Sequence, residues 1–214
     1  MSKKLLITRP EHDDTTHYLS NWSKKAIDIA QSKGIKILDM PKKRANKLEV
    51  TSMISKQKPE LIIFNGHGDD NVVGGHKDEP LIIEGKNERL LKEKITYAIS
   101  CKSAKKLGPK SISSGAKTYI GYDDFVFIYN PDKITHPLDD ETAKLFLAPS
   151  NELIISLIKG NTTEEACKRS KQFFNNNIKK LLSSESSKED ASMIRYLWWD
   201  MNHQVCLGDK KATI

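Results

Sequence analysis

The 214-residue sequence is poor in cysteine, with only Cys101, Cys167 and Cys206. An odd number of cysteines with no C-x-x-C pair provides neither a disulfide framework nor a zinc ribbon, so reduced thiols are expected. Long apolar runs are missing too. Leu61–Phe64 and Ile95–Ile99 fall far short of the roughly 20 residues of a bilayer span. Only Leu5-Leu6-Ile7 separates the opening lysines from Thr8-Arg9-Pro10, whereas a signal peptide needs about 7–15 apolar residues. The expectation is a cytoplasmic protein with no membrane partner. No G-x-G-x-x-G or Walker sequence follows the first apolar run, which argues against a phosphate-binding loop. Aromatic residues make up 7%, and none are interleaved with the basic pairs Lys24-Lys25, Lys105-Lys106, Lys179-Lys180 and Lys210-Lys211. The net charge of +7 is spread mostly over lysines, which suits solubility better than bidentate recognition, so no direct nucleic-acid binding is expected. The 37% hydrophobic content is enough for a core and excludes a wholly disordered chain.

Lys4–Thr8, Ile35–Asp39, Glu60–Phe64, Ile95–Cys101 and Lys117–Tyr122 read as strands, several of them apolar on both faces. Between them, Asp13–Lys33, Asn46–Gln57 and a stretch starting at Lys102 have helical spacing. Val72-Val73 and Leu81–Ile83 suit a small hairpin, Asn87–Lys94 a helical segment, and Phe125–Tyr129 a possible extension of the sheet. After Pro137 the pattern is helical over Asp139–Lys159, Thr162–Ser183 and Lys188–His203, with Thr162-x-x-Glu165 as a capping box and Ser183–Ser187 as a polar linker. The β-α alternation implies an α/β fold: a mostly parallel sheet with helices on both faces and a helical C-terminal tail. Residues 1–137 would form the core and 138–214 a helical part packed on it, as one compact unit.

In such sheets ligand chemistry gathers at the carboxyl ends of strands. Asn65-Gly66-His67-Gly68-Asp69-Asp70 follows one apolar strand, and Ser100-Cys101-Lys102-Ser103-Ala104 follows another. A thiol becomes a good nucleophile when deprotonated, and a neighbouring imidazole and helix N-terminus both favour the thiolate. His67 and Cys101 are therefore the candidate catalytic pair. The amides of Gly68 and Cys101 are candidates for an oxyanion hole.

Leu61-Ile-Ile-Phe-Asn-Gly-His-Gly68 and Tyr97-Ala-Ile-Ser-Cys-Lys-Ser-Ala104 together resemble the caspase-like cysteine peptidases of clan CD, most nearly the CHAT group related to separase, clostripain and gingipain. Ile158–Ala166 is similar to the helical tail of that group, so the resemblance covers Leu61 to Ala166. It implies a caspase-like three-layer sandwich and cleavage of a protein or peptide substrate. Cys101 would attack the scissile carbonyl, His67 would act mainly as general acid to the leaving amine, and no third catalytic residue is required. It also implies an activating or regulatory protein partner, as in prokaryotic defence or signalling, and no cofactor. Ser103-Ala104 departs from the Ser-Gly or Gly of many relatives. In caspase-like folds the stretch after the nucleophile region lines the main specificity pocket, here Gly121–Phe125. Asp123, then Asp124, are candidates to favour Lys or Arg before the scissile bond, with Asp69 and Tyr122 as further substrate-binding candidates.

Two other classes compete: a catalytically silent caspase-fold binding scaffold, and an α/β sensor module. Intact His67, Gly68 and Cys101 argue against the first, and the missing phosphate loop against the second. No metal site is expected, because His67, Asp69, Asp70 and His76 match no metallohydrolase spacing. Trp198-Trp199 with Tyr196 and Leu197 reads as core packing.

Overall fold

The computed structural model describes residues 3–183 and 191–214. Five parallel strands, β1 (Lys4–Arg9), β2 (Lys36–Pro41), β3 (Leu61–Asn65), β7 (Ile95–Ile99) and β8 (Thr118–Tyr122), and one antiparallel strand, β9 (Gln204–Gly208), form a single sheet. Its order is β2-β1-β3-β7-β8-β9. The central strands are buried along their whole length because alternate residues face two different cores. Leu5, Ile7, Leu61, Ile63, Tyr97 and Ile120 join one cluster with residues of α1 (Asp14–Trp22), α2 (Lys24–Ser32) and α5 (Glu141–Ile158). Leu6, Ile62, Phe64, Ala98 and Tyr119 join the other with residues of α3 (Lys47–Gln57) and α4 (Leu107–Ser113). This two-faced burial explains why these strands read as unbroken apolar runs. The result is an α/β protein with a mixed, mostly parallel six-stranded sheet between helical layers.

The hairpin expected near Val72 is present. β5 (Val72–Gly74) pairs antiparallel with β4 (Gly68–Asp69) on one side and β6 (Pro80–Ile83) on the other. The capping box at Thr162 and Glu165 opens α6 (Thr163–Leu181). A third apolar cluster, Phe146, Phe174, Ile178, Leu181 and Leu197, joins α5 and α6 to α7 (Ile194–His203).

Several expectations are corrected. The helix read over Asp13–Lys33 is broken at Ser23 into α1 and α2. Asn87–Lys94 contains only a short 3-10 turn at Glu88–Leu91, and residues 123–130 run as irregular backbone rather than strand. The C-terminal part is not purely helical. After α7 the chain returns to the sheet as β9, with Tyr119 opposite Leu207 and Tyr122 opposite Gln204. The Ser183–Ser187 linker and the start of the helix expected from Lys188 lie outside the described residues from position 184 on.

The expected reduced state is corrected as well, since Cys167 on α6 and Cys206 on β9 form a disulfide. The two are 39 positions apart, and only the return of the chain into the sheet brings them together. Cys101 is the one free thiol. Trp198 and Trp199 are 55% and 37% exposed, whereas Leu197 is fully buried, so core packing holds for Leu197 and not for the two tryptophans. Among the described residues no helix is long and apolar enough to cross a membrane.

Candidate active site

β3 and β7 are neighbours in register, with Asn65 opposite Ile99, so both chains leave the sheet at the same edge. The Gly66 amide donates to the Ile99 carbonyl at 3.3 Å, and Gly66 has a φ of +149°, a conformation that side chains rarely adopt. His67 follows, its carbonyl accepting from the Gly74 amide at 2.8 Å. At Gly68 the two strand-end loops touch. A Cβ there would lie 2.0 Å from Ser100 Oγ and 3.2 Å from the Cys101 carbonyl oxygen. Glycine is the residue that lets the His67 loop rest on Ser100-Cys101. His67 and Cys101 then line one cleft of about 190 Å³, together with Thr15, Leu19, Phe125 and Phe127.

Lys102, directly after Cys101, has a φ of +59°. For a non-glycine residue this left-handed conformation costs of order 1 kcal/mol, and such residues gather at functional sites. It turns the chain so that residues 101–106 form turns and α4 begins only at Leu107. The helix expected directly after Cys101 is therefore absent, and with it the dipole that would favour a thiolate. The surroundings act the other way. Burial pushes the Cys101 thiol above its ordinary range, and the carboxylate of Asp124, 3.7 Å from Sγ, adds to the effect. The Cys101 amide donates to no protein acceptor among the described residues.

Asp13 is the site residue that sequence reasoning missed. It is the N-cap of α1, with Oδ1 accepting from the Thr16 amide at 2.8 Å and from the Thr16 hydroxyl at 2.8 Å. Its second oxygen, Oδ2, lies 2.6 Å from His67 Nε2. Burial alone would raise the Asp13 carboxyl, but the Thr16 bonds and then His67 outweigh it and hold the carboxyl below the usual range. This makes Asp13 an ionised partner that can fix the imidazole, with Nε2–H donating and Nδ1 left for proton exchange. In sequence Asp13-x-x-Thr16 reads only as a cap. The strand-end rule, applied to β1 as well as to β3 and β7, would have drawn attention to residues 10–13 at the same sheet edge.

The candidate substrate residues are scattered. Asp124 sits beside Cys101 and also accepts from the Phe125 amide at 3.0 Å. Asp123 points elsewhere, with Oδ1 2.5 Å from His203 Nδ1 at the end of α7. Tyr122 is fully buried, its hydroxyl sharing a network with Tyr97 at 3.1 Å, Ser150 at 2.9 Å and Gln204 at 3.1 Å. It supports the cleft only from beneath, stacking on Phe125 with ring centroids 4.5 Å apart. Asp69 is exposed and caps the amide of Asp70, which itself lies 3.4 Å from Lys106. The irregular stretch after β8 is held from α7 at two points. His203 grips Asp123, and the fully buried Asp200 accepts from the Val126 amide at 2.9 Å. Desolvation pushes the Asp200 carboxyl well above its ordinary value.

No family model matches the chain, and no curated protein matches it either.

Proposed function

We propose that this protein is a caspase-like cysteine endopeptidase of the CHAT type, and that Cys101 and His67 carry out its chemistry. The observation that carries the reading is the contact at Gly68, which brings the Gly-His-Gly loop onto the Ser-Cys turn so that both side chains line one cleft. Cys101 Sγ attacks the carbonyl carbon of the scissile bond as the thiol proton passes to His67. The developing oxyanion is met by the amides of Gly68 and Cys101. His67 gives a proton to the leaving amine, and water then hydrolyses the thioester. Asp13 fixes the imidazole through the 2.6 Å bond and so acts as a positioning residue. Asp124, beside the nucleophile, is the carboxylate assigned to a Lys or Arg side chain before the scissile bond.

Two features support a resting form that waits for a protein activator. The cleft of about 190 Å³ is smaller than the roughly 300–1,000 Å³ of most ligand pockets. The raised Cys101 thiol is also mostly protonated at neutral pH, and an activator that turns Asp124 from Sγ toward the substrate's basic side chain would lower it. The proposed compartment is the cytoplasm. Disulfides such as Cys167–Cys206 are commoner in oxidising surroundings, so fractionation of host cells decides this part.

The test is labelling by a thiol-reactive peptide with Lys or Arg next to the warhead, read by intact mass on wild type, Cys101→Ala and His67→Ala. With Cys167 and Cys206 paired, a single adduct at Cys101 is expected, faster than with an acidic peptide and strongly slowed in His67→Ala. Labelling that is indifferent to both His67 and the peptide sequence, even with candidate activators present, would leave a silent scaffold in place of a peptidase.

A further inference from the structure

A second chemistry shares His67. His12, in the loop between β1 and α1, His67, and Asp78, in a short turn after β5, each bring a ligand atom to within 4.8 Å of the others. Asp13 adjoins this group through the two histidines, its Oδ2 lying 3.5 Å from His12 Nε2 and 2.6 Å from His67 Nε2. His12 Nε2 is 3.3 Å from Asp78 Oδ1. Four ligands at tetrahedral Zn²⁺ distances of about 2.0–2.2 Å have neighbouring atoms about 3.3–3.6 Å apart. The two His12 separations already match that edge. The His67–Asp13 contact is a hydrogen bond and would open by about 0.8 Å to admit an ion.

We infer that His12, His67, Asp13 and Asp78 form a binding site for a zinc-class divalent transition metal. Two imidazoles with two carboxylates suit such an ion, whereas Ca²⁺ and Mg²⁺ prefer all-oxygen shells. The division of labour on Asp13 helps, since Oδ1 is committed to capping α1 and Oδ2 is left for the cation. The side chains of His67, Asp13 and Asp78 are 42%, 39% and 60% exposed, so an ion has a path from solvent, while His12 at 11% gives a fixed wall. On binding, His67 changes tautomer: the proton leaves Nε2, Nδ1 takes one up through solvent, and the neutral imidazole becomes a ligand through Nε2. Resting on the peptidase reading, this makes the metal an inhibitor, because a metal-bound His67 has lost its positioning partner and cannot serve the leaving amine.

The experiment uses chelator-treated full-length protein titrated with Zn²⁺ in a calorimeter and with Co²⁺ by absorption. One ion per chain is expected, with a four-coordinate Co²⁺ spectrum lacking thiolate charge transfer. His12→Gln and Asp78→Asn should each weaken binding at least about tenfold while their melting curves without metal stay at the wild-type position. Cys101→Ala should bind as wild type does. Absence of stoichiometric uptake, or uptake unchanged in His12→Gln and Asp78→Asn, overturns the site. Where peptide labelling of Cys101 proceeds, Zn²⁺ should slow it in wild type and tenfold less in His12→Gln. Loss of this inhibitory arm with binding intact refutes the regulatory half, and absence of labelling altogether tells against the peptidase while the titrations still decide the metal site.

Discussion

Replacing Gly68 by alanine tests the contact on which the site depends. The new Cβ would stand 2.0 Å from Ser100 Oγ, 2.7 Å from the Val72 carbonyl oxygen and 3.2 Å from that of Cys101. Real carbon–oxygen contacts are essentially never below 3.0 Å, so the first two cannot persist. One obstacle is a side-chain oxygen and the other is backbone within the β4–β5 ladder. Overpacking of this kind costs about 1–3 kcal/mol, and the backbone clash puts Gly68→Ala near the top of that range. For a chain of this length each kcal/mol is worth roughly 2–4 °C, so the melting temperature should fall by about 6–12 °C. Ser100→Ala alone should be close to neutral, because its buried hydroxyl has no hydrogen-bond partner. In the double variant the Ser100 Oγ obstacle is gone, and it should recover about 1 kcal/mol relative to the sum of the single changes. Urea midpoints and thermal melts on the four proteins complete the cycle. A Gly68→Ala melting temperature within 2 °C of wild type, or strict additivity with Ser100→Ala, would mean that the two loops do not touch.

The Cys167–Cys206 bridge closes a loop of 39 residues, for which chain entropy gives about 3.9 kcal/mol of stabilisation. The Cys167→Ala/Cys206→Ala variant should melt roughly 8–16 °C lower, and a count of three reactive thiols in the native, unreduced protein would refute the pairing. Asp124→Asn keeps an acceptor for the Phe125 amide but removes a charge 3.7 Å from Cys101 Sγ. Even in water-like surroundings that charge is worth about 1 kcal/mol, so alkylation of Cys101 at neutral pH should rise at least about fivefold, with its pH midpoint moved down; an unchanged rate would count against Asp124. Asp200 carries a pH dependence. Its folded pKa is raised above the unfolded one, so the stability it contributes is full below the ordinary carboxylate range near 4 and is lost as pH rises through the folded value. Asp200→Asn should therefore gain melting temperature relative to wild type at pH 8 compared with pH 5, and a parallel offset at both pH values would show that folded Asp200 is already ionised at pH 5, against a raised carboxyl.

The five parallel strands were legible because burial on both faces writes unbroken apolar runs, and those runs ended at the residues now found on one sheet edge. β9 was hidden for the opposite reason. Gln204-Val-Cys-Leu-Gly208 is a half-buried edge strand with no long apolar run, and it follows a helix without a break. Phe125–Tyr129 misled in the reverse sense, since in this apolar run Phe127 and Tyr129 pack on Tyr18 and Phe127 on Phe146, with no ladder formed. Gly66, His67, Gly68 and Cys101 could be named from strand ends alone. His12 and Asp13 follow the end of β1 at the same edge, but their pairing with residues 66 and 54 positions away carried no signal of its own. Lys102 carried no signal, because a left-handed lysine looks like any other in sequence. Its conformation moved the start of α4 from the expected position to Leu107 and removed the electrostatic help that the sequence had promised to Cys101.

The position of β9 has a consequence for the order in which the molecule can be assembled. Until residues 204–208 are made, β8 is an open sheet edge, and the stretch after it has neither His203 nor Asp200 to hold Asp123 and Val126. The stretch beside Cys101 is thus held by residues made after every other strand of the sheet. During synthesis Cys101 and His67 already follow completed strands, yet the stretch beside them is still without its anchors. A chain arrested before Gln204 would carry an unpaired, apolar strand edge prone to association with other chains. β9 accordingly covers the edge of β8, and the helix that leads into it completes the wall of the candidate cleft.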